Sequence, residues 1–223
     1  SRGLGDVYKR QIRANGEPTY FCSDIAYVPN KEKRGYNKLI DIWGADHHGY
    51  IIRIHSAMKF LGYNPEDFEI MLLQMVTLLR DGQPVKMSKR TGQAVTLREL
   101  MDEVGSDAAR YFFCSRTLDS QMDFDIDLAK KQSSDNPVYY IQYANARIHS
   151  LFAQAKEAGV KWGNWEKTDF TKLTEECELD LVKKMENYHM LIDGAAKERA
   201  PQRIAKYAYE LAGLFPVSYT HLT

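Results

Sequence analysis

The hydrophobic positions change their period partway along the chain. Lys38-Leu39-Ile40-Asp41-Ile42-Trp43 is a short apolar run stopped by Gly44, which predicts a buried strand of a parallel sheet. Ile51, Ile54, His55 and Met58 then recur at helical spacing, with Gly62 as the stop. Glu69 to Val76 (EIMLLQMV) is the next strand candidate. Strand, helix, strand at this length is a βαβ unit, the building block of nucleotide-binding sheets. Asp81-Gly82 marks a turn and a polar loop runs through Lys86 to Gly92. Thr96 with Glu99 predicts a capping box for a helix ending at Gly105, and Asp107 is expected to cap another helix carrying Ala108, Tyr111 and Phe112.

After Asp119 no further strand pattern is visible. Asn136-Pro137 reads as an N-cap followed by proline at the first helical position. Val138, Ile141, Asn145, Ile148 and Phe152 follow at three- or four-residue steps, and Gly159 ends the helix. Later helices are expected from Glu176 to Glu198, broken near His189, and from Pro201 to Phe215. An α/β half followed by an all-α half implies two domains joined between Ser120 and Asn136. Residues 1–11 and 216–223 carry no clear period and are expected to be frayed or foreign ends.

Composition narrows the field only slightly. Of 223 residues, 44% are hydrophobic and 27% charged, and thirty basic residues balance thirty acidic ones. Zero net charge does not advertise a nucleic-acid binder, although local basic patches can still form. Cys22, Cys114 and Cys177 are far apart, odd in number and without a CxxC pair. A disulfide framework or structural zinc site is therefore not expected, and a reducing, cytoplasmic compartment fits. No apolar run approaches the ~20 residues that span a bilayer, and no charged-then-apolar signal peptide opens the chain.

Three constellations carry chemistry. Lys86, Met87, Ser88 and Lys89 lie in the polar loop, where two ammonium groups suit the charge that builds on a leaving pyrophosphate. A loop lets them close only when a nucleotide is present; on charge alone, a solvated basic loop is the competing reading. Gly44-Ala45-Asp46-His47-His48-Gly49-Tyr50 directly follows the first strand. Gly44 allows close backbone approach, and Asp46 at a strand's carboxyl end can accept hydrogen bonds from ribose hydroxyls. The rivals there are a zinc site from Asp46, His47, His48 and His55, and a purely structural role for the histidines. The third is Pro18 to Tyr27, where Tyr20 and Asp24 stand four residues apart and could grip a guanidinium. Its bland alternative is a half-buried element with core tyrosines and Asp24 as a cap.

Taken in order, TYFxxDIAY, WGADHHGY, VKMSKRTGxxVTL and DFDxDLAKxQSSDNPVYYIQYANARI resemble the bacterial arginyl-tRNA synthetases over roughly Ile12 to Phe215. The resemblance implies a class I synthetase: a partial Rossmann-like nucleotide-binding sheet with a KMSK loop over residues 12–125, then a helical-bundle anticodon-binding domain over 126–215. It implies arginine binding by Tyr20, Asp24 and His47, and ATP binding by Gly44, Asp46, His47, Lys86 and Lys89. Lys86 to Lys89 would stabilise the transition state of activation, and Tyr140, Gln142, Asn145 and Arg147 would lie on the helix that holds tRNA. ATP with Mg²⁺, L-arginine and tRNA(Arg) are the implied cofactors and partners, with no resident metal, no membrane and a monomeric full-length enzyme. The chain departs from the pattern in four ways: Val28 stands where histidine usually follows DIAY, no HxGH string occurs, the amino-terminal tRNA-elbow domain is absent, and PVSYTHLT stands where a helix is expected to continue after Leu214-Phe215. It is therefore expected to be one half of the enzyme, inactive alone. The alternatives are a non-catalytic tRNA-binding module and another class I synthetase or nucleotidyltransferase.

Overall fold

The computed structural model describes residues 12–85, 95–161, 163 and 165–220. The chain divides into two compact units: Ser1–Met75 with Leu118–Gln121, and Val76–Thr117 with Met122–Thr223.

The first unit contains α1 (Tyr20–Lys33), β1 (Leu39–Gly44), α2 (Ile51–Phe60) and β2 (Phe68–Leu73). β1 and β2 pair in parallel, Leu39 opposite Phe68 through Gly44 opposite Leu73, so the predicted βαβ unit forms. α2 ends at Phe60, and Gly62 turns the chain at φ +86°, a region costly for any residue with a Cβ. β2 stops before the Val76 end that its apolar run suggested. The Gln74 amide donates to the Leu118 carbonyl at 2.8 Å, and Val76 opens a strand of the second unit. Val28, Leu39, Ile54, Met58 and Phe68 form the core, each at most 4% exposed. His55 lies against it edge-on to Phe68, with Nε2 3.2 Å from the Phe68 carbonyl oxygen, and so ties α2 to β2.

In the second unit β3 (Val76–Arg80) turns at Asp81–Gly82 into β4 (Gln83–Pro84) and pairs in parallel with β5 (Met122–Asp125). β5 lies where the sequence shows no strand pattern. It is only four residues long, too short for alternation to stand out, yet Met122 and Phe124 are 8% and 0% exposed. α3 (Leu97–Val104) carries the expected capping box: the Thr96 amide donates to Glu99 Oε2 at 2.7 Å, and the Glu99 amide to Thr96 Oγ1 at 3.2 Å. Gly105, at φ +85°, both ends α3 and caps α4 (Ser106–Cys114); Asp107 falls inside the first turn instead of at the cap. α5 (Ile126–Lys130) follows, with Asp125 Oδ1 accepting the Leu128 amide at 2.9 Å. Leu78, Leu100, Phe124 and Ile126 fill the centre, with Phe112 5.4 Å and Phe113 5.2 Å from Phe124, ring to ring.

Glu103 on α3 accepts two hydrogen bonds of 2.8 Å from Arg80 and one of 3.1 Å from Lys130. These hold its carboxyl at about 2, against an ordinary value of 4.5. A depressed folded-state value contributes stability that is present above 4.5 and is lost as the pH falls towards about 2. Glu103→Gln is expected to flatten that acid loss, measured as the urea midpoint against pH; an unchanged slope would show that the cluster contributes nothing to acid stability.

The same unit continues as helices: α6 (Pro137–Glu157), α7 (Glu176–Glu186), α8 (Tyr188–Glu198) and α9 (Pro201–Thr220). Asn136 is 4% exposed and fully engaged. Its Oδ1 accepts the Val138 amide at 3.0 Å, and its Nδ2 donates to the Ala129 and Lys131 carbonyls. The expected break falls at Asn187, two residues before His189. α9 packs on α6, α7 and α8, with Ala144, Ala195 and Ala212 buried, small enough for helices to approach closely. α9 also runs past the expected Phe215 stop to Thr220. Pro216 lacks an amide hydrogen, but extending an existing helix is far easier than nucleating one.

Candidate active site

α1 begins because Thr19 caps it, its hydroxyl accepting the Cys22 amide at 3.4 Å. Asp24 is thus not a cap but lies one turn beyond Tyr20 on the same helix face. Across from them, β1 ends at Gly44, where the chain enters a 3₁₀ turn over Ala45–Tyr50. Gly44 has an ordinary negative φ, and a Cβ there would sit 2.6 Å from Asp46 Oδ1, so a side chain at this position would displace the Asp46 carboxylate.

Tyr20 and Asp24 from α1 meet Ile42, Trp43, Gly44, His47 and Tyr50 around one open cavity of about 430 Å³. That lies within the roughly 300–1,000 Å³ usual for small-molecule sites. The walls combine a carboxylate, two phenols, an imidazole and apolar side chains. Tyr20 is 82% exposed, and the Arg13 guanidinium already lies 5.6 Å from its ring centroid, so this face accepts a planar cation. His47 has Nε2 3.8 Å from Asp46 Oδ2 and presents its ring 5.9 Å from that of Tyr50. Tyr50 is held in turn by Phe21, edge-on at 5.8 Å, and by Arg53, 5.1 Å from its ring centroid. Tyr50 closes the WGADHHGY motif, six residues after Gly44, and that place is the sequence signal for its part in the cavity.

The structure therefore brings Tyr20, Asp24, Gly44 and His47 together, with Asp46 alongside. Lys86, Met87, Ser88 and Lys89 lie outside the described residues. Among the described residues no group of three or more His, Cys, Asp or Glu could hold a metal ion.

The four residues singled out on α6 differ in surroundings. Tyr140 is half-buried, its ring 5.4 Å from that of Tyr209 on α9. Gln142 donates to Asp107 Oδ2 on α4 at 3.0 Å. Asn145 and Arg147 are exposed. Arg147 donates to the Tyr143 hydroxyl at 3.1 Å, and Tyr143 stacks on Tyr139 at 6.4 Å. Arg147 also lines a hollow of about 270 Å³ with Ser150, Leu151, Gln154 and Phe215.

Comparison with known proteins accounts for both halves. Residues 5–125 match the family model described as "tRNA synthetases class I (R), catalytic domain", and residues 141–223 the "DALR anticodon binding domain". The chain is 53% identical over 208 residues to an arginine–tRNA ligase of Desulforamulus reducens, covering 93% of this chain and 37% of the relative. With that of Syntrophotalea carbinolica it shares 52% identity over 208 residues, 93% of this chain and 38% of the relative. A Campylobacter jejuni crystal structure described as an arginyl-tRNA synthetase superposes with a TM-score of 0.83 at 43% identity, over 95% of this chain and 45% of that one. The arginyl-tRNA synthetase of Thermus thermophilus, at 20% identity and a TM-score of 0.73 over 94% of this chain and 42% of that one, shares the fold. The chain thus spans less than half the length of the curated relatives it matches. The catalytic-domain match covers more than half of the chain, and the chain belongs to the class I arginyl-tRNA synthetase family.

Proposed function

We propose that this chain is the part of an arginyl-tRNA synthetase that selects arginine, holds the edge of ATP and grips the tRNA. One observation carries the reading: Tyr20 and Asp24, twenty or more residues before Gly44 and His47 in the chain, line the same cavity with them. Asp24 supplies the charge that a guanidinium pairs with, Tyr20 a face for it to stack on, and His47 a polar edge for the amino acid. Gly44 and Asp46 would take the adenosine side, where the end of a parallel strand lets a ribose approach.

The chemistry has two displacements. A carboxylate oxygen of arginine attacks the α-phosphate of ATP, giving arginyl-adenylate and pyrophosphate. A terminal ribose hydroxyl of tRNA then attacks the activated carbonyl, and AMP leaves. Neither step needs a covalent enzyme intermediate; orientation and charge stabilisation carry the rate. Lys86 and Lys89 are assigned to the leaving pyrophosphate. Mg²⁺ would arrive with the triphosphate, whose oxygens supply much of its coordination.

For the tRNA, the exposed Asn145 and Arg147 and the hollow beside Arg147 favour α6 as the contact helix, since single-stranded bases are read by stacking and polar edges. Tyr140 and Gln142 would support that helix through Tyr209 and Asp107. In this reading residues 12–125 are catalytic, 126–215 hold the anticodon arm, and the full-length protein is a cytoplasmic monomer. No helix among the described residues is long and apolar enough to cross a membrane.

The test is arginine-dependent ATP–pyrophosphate exchange, with tRNA(Arg) present, on this chain and on a version extended upstream to the length of the relatives. Activity in the extended protein is expected, together with at least a tenfold loss for Lys89→Ala at unchanged arginine affinity. An unaltered rate in Lys89→Ala would remove that lysine from the reaction. Retained tRNA binding with no exchange in either protein would favour a tRNA-binding module instead.

A further inference from the structure

Among the described ion pairs of the first unit, Lys31–Asp41 is the most withdrawn from water: 2.6 Å long, with side chains 15% and 25% exposed. It joins the carboxyl half of α1 to the middle of β1. The Lys31 ammonium also lies 4.7 Å from the ring centroid of Tyr27 on its own helix and 5.6 Å from that of Phe68 on β2. One cation thus touches α1, β1 and β2 together.

Its place along α1 links it to the site. Tyr20, Asp24, Val28 and Lys31 follow one another at four, four and three residues, a single stripe on the helix. The first two line the cavity; Val28 is 3% exposed in the core, and Lys31 holds Asp41. On β1, Asp41 precedes Gly44 by three residues. Lys31 to Asp24 is about 10 Å of helix and Asp41 to Gly44 about 10 Å of strand. The two sides of the cavity are therefore equally far from the pair. A slip of α1 by one residue along β1 would move Asp24 by about 1.5 Å relative to Gly44, and misplacement of that order costs roughly a hundredfold in an oriented reaction. Apolar packing by Val28 presses the helix onto the core but resists sliding weakly, whereas a short charged hydrogen bond specifies one register.

We propose that Lys31 is a positioning residue: through Asp41 it sets α1 in register with β1, and so holds Asp24 and Tyr20 opposite Gly44 and His47 for a guanidinium-bearing substrate. The proposal rests on the arginine-site reading above.

Lys31→Met keeps the apolar stem and removes the charge. In the upstream-extended protein with tRNA(Arg), pyrophosphate exchange is followed while arginine and ATP are varied separately, with the active fraction and urea midpoint measured in parallel. The expected result is at least a fivefold rise in KM for arginine, KM for ATP within twofold of the unmodified protein, and recovery of most of the loss in Lys31→Arg. Asp41→Asn, nearly the same size, is expected to give the same arginine-specific rise, and it decides the matter if Lys31→Met fails to fold. A lower urea midpoint or active fraction with unchanged KM for arginine would reduce the pair to plain structural support and overturn the proposal. Asp24→Ala serves as the reference. If it too leaves KM for arginine unchanged, the arginine-site reading has failed and the proposal falls with it. If it raises KM while both pair variants do not, only the proposal falls.

Discussion

Asp24→Ala is expected to weaken arginine binding by about 2–5 kcal/mol, roughly 30- to several-thousand-fold, because it strips a desolvated guanidinium of its charged partner. In the free chain Asp24 is exposed on α1, so the penalty belongs to the complex and not to folding. The variant should therefore keep its urea midpoint. The cavity offers no second carboxylate among its lining residues to replace the lost charge. Asp24→Asn is expected to fall in between, since it keeps shape and acceptor but not charge. The measurement is the calorimetric affinity for arginine in the upstream-extended protein with tRNA(Arg) bound, with ATP affinity as the control. Equal losses for both ligands would point to a collapsed cavity, and unaltered arginine affinity would remove Asp24 from the site.

The second large effect lies in the core. Phe124→Ala is expected to destabilise the second unit by about 3–5 kcal/mol, a fall in melting temperature of about 6–20 °C for a protein of this size. Phe124 is fully buried on β5, with the Phe112 and Phe113 rings tilted against it and Leu78 and Leu100 in the same cluster. Truncation removes an aromatic ring that three elements pack against and leaves a cavity that β5, paired on β3, cannot readily close. Phe60→Ala, at a residue 92% exposed, should cost less than about 0.5 kcal/mol. Thermal and urea unfolding of the two variants side by side would check this; near-equal effects would mean that β5 does not belong to the core.

The two predictions draw on unequally legible features. Asp24 could be singled out because a carboxylate and a phenol four residues apart could grip a guanidinium; that the segment is a helix, with both on one face, is seen only in the structure. What the four-residue spacing could not say is whether Asp24 capped the helix or pointed into a cavity; Thr19 settled that by taking the Cys22 amide. Phe124 lies within the DFDxDLAK motif, but nothing in Met122-Asp123-Phe124-Asp125 announces a strand. A four-residue strand is held by the neighbour it pairs with, and that neighbour, β3, lies more than forty residues earlier. Asp107 and Tyr140 show the same limit from the other side: one became a first-turn acceptor for Gln142, the other packing for Tyr209, each by a contact from a distant helix.

The sequence by itself determined the elements whose causes are local. The apolar run before Gly44, the Thr96–Glu99 box, the Asn136-Pro137 start and the glycine stops are set by backbone sterics and by hydrogen bonds within a few residues. The order of its motifs also carried the family. Only the tertiary structure decided which apolar run ends at Leu73 so that Val76 joins another sheet, and that Val28 is a core residue. It alone placed Lys31 on Asp41, and Tyr50 beside the Tyr20, Asp24 and His47 that the resemblance groups. Those outcomes depend on which surfaces exclude water from one another, a property of pairs of elements far apart in the chain that no local pattern encodes.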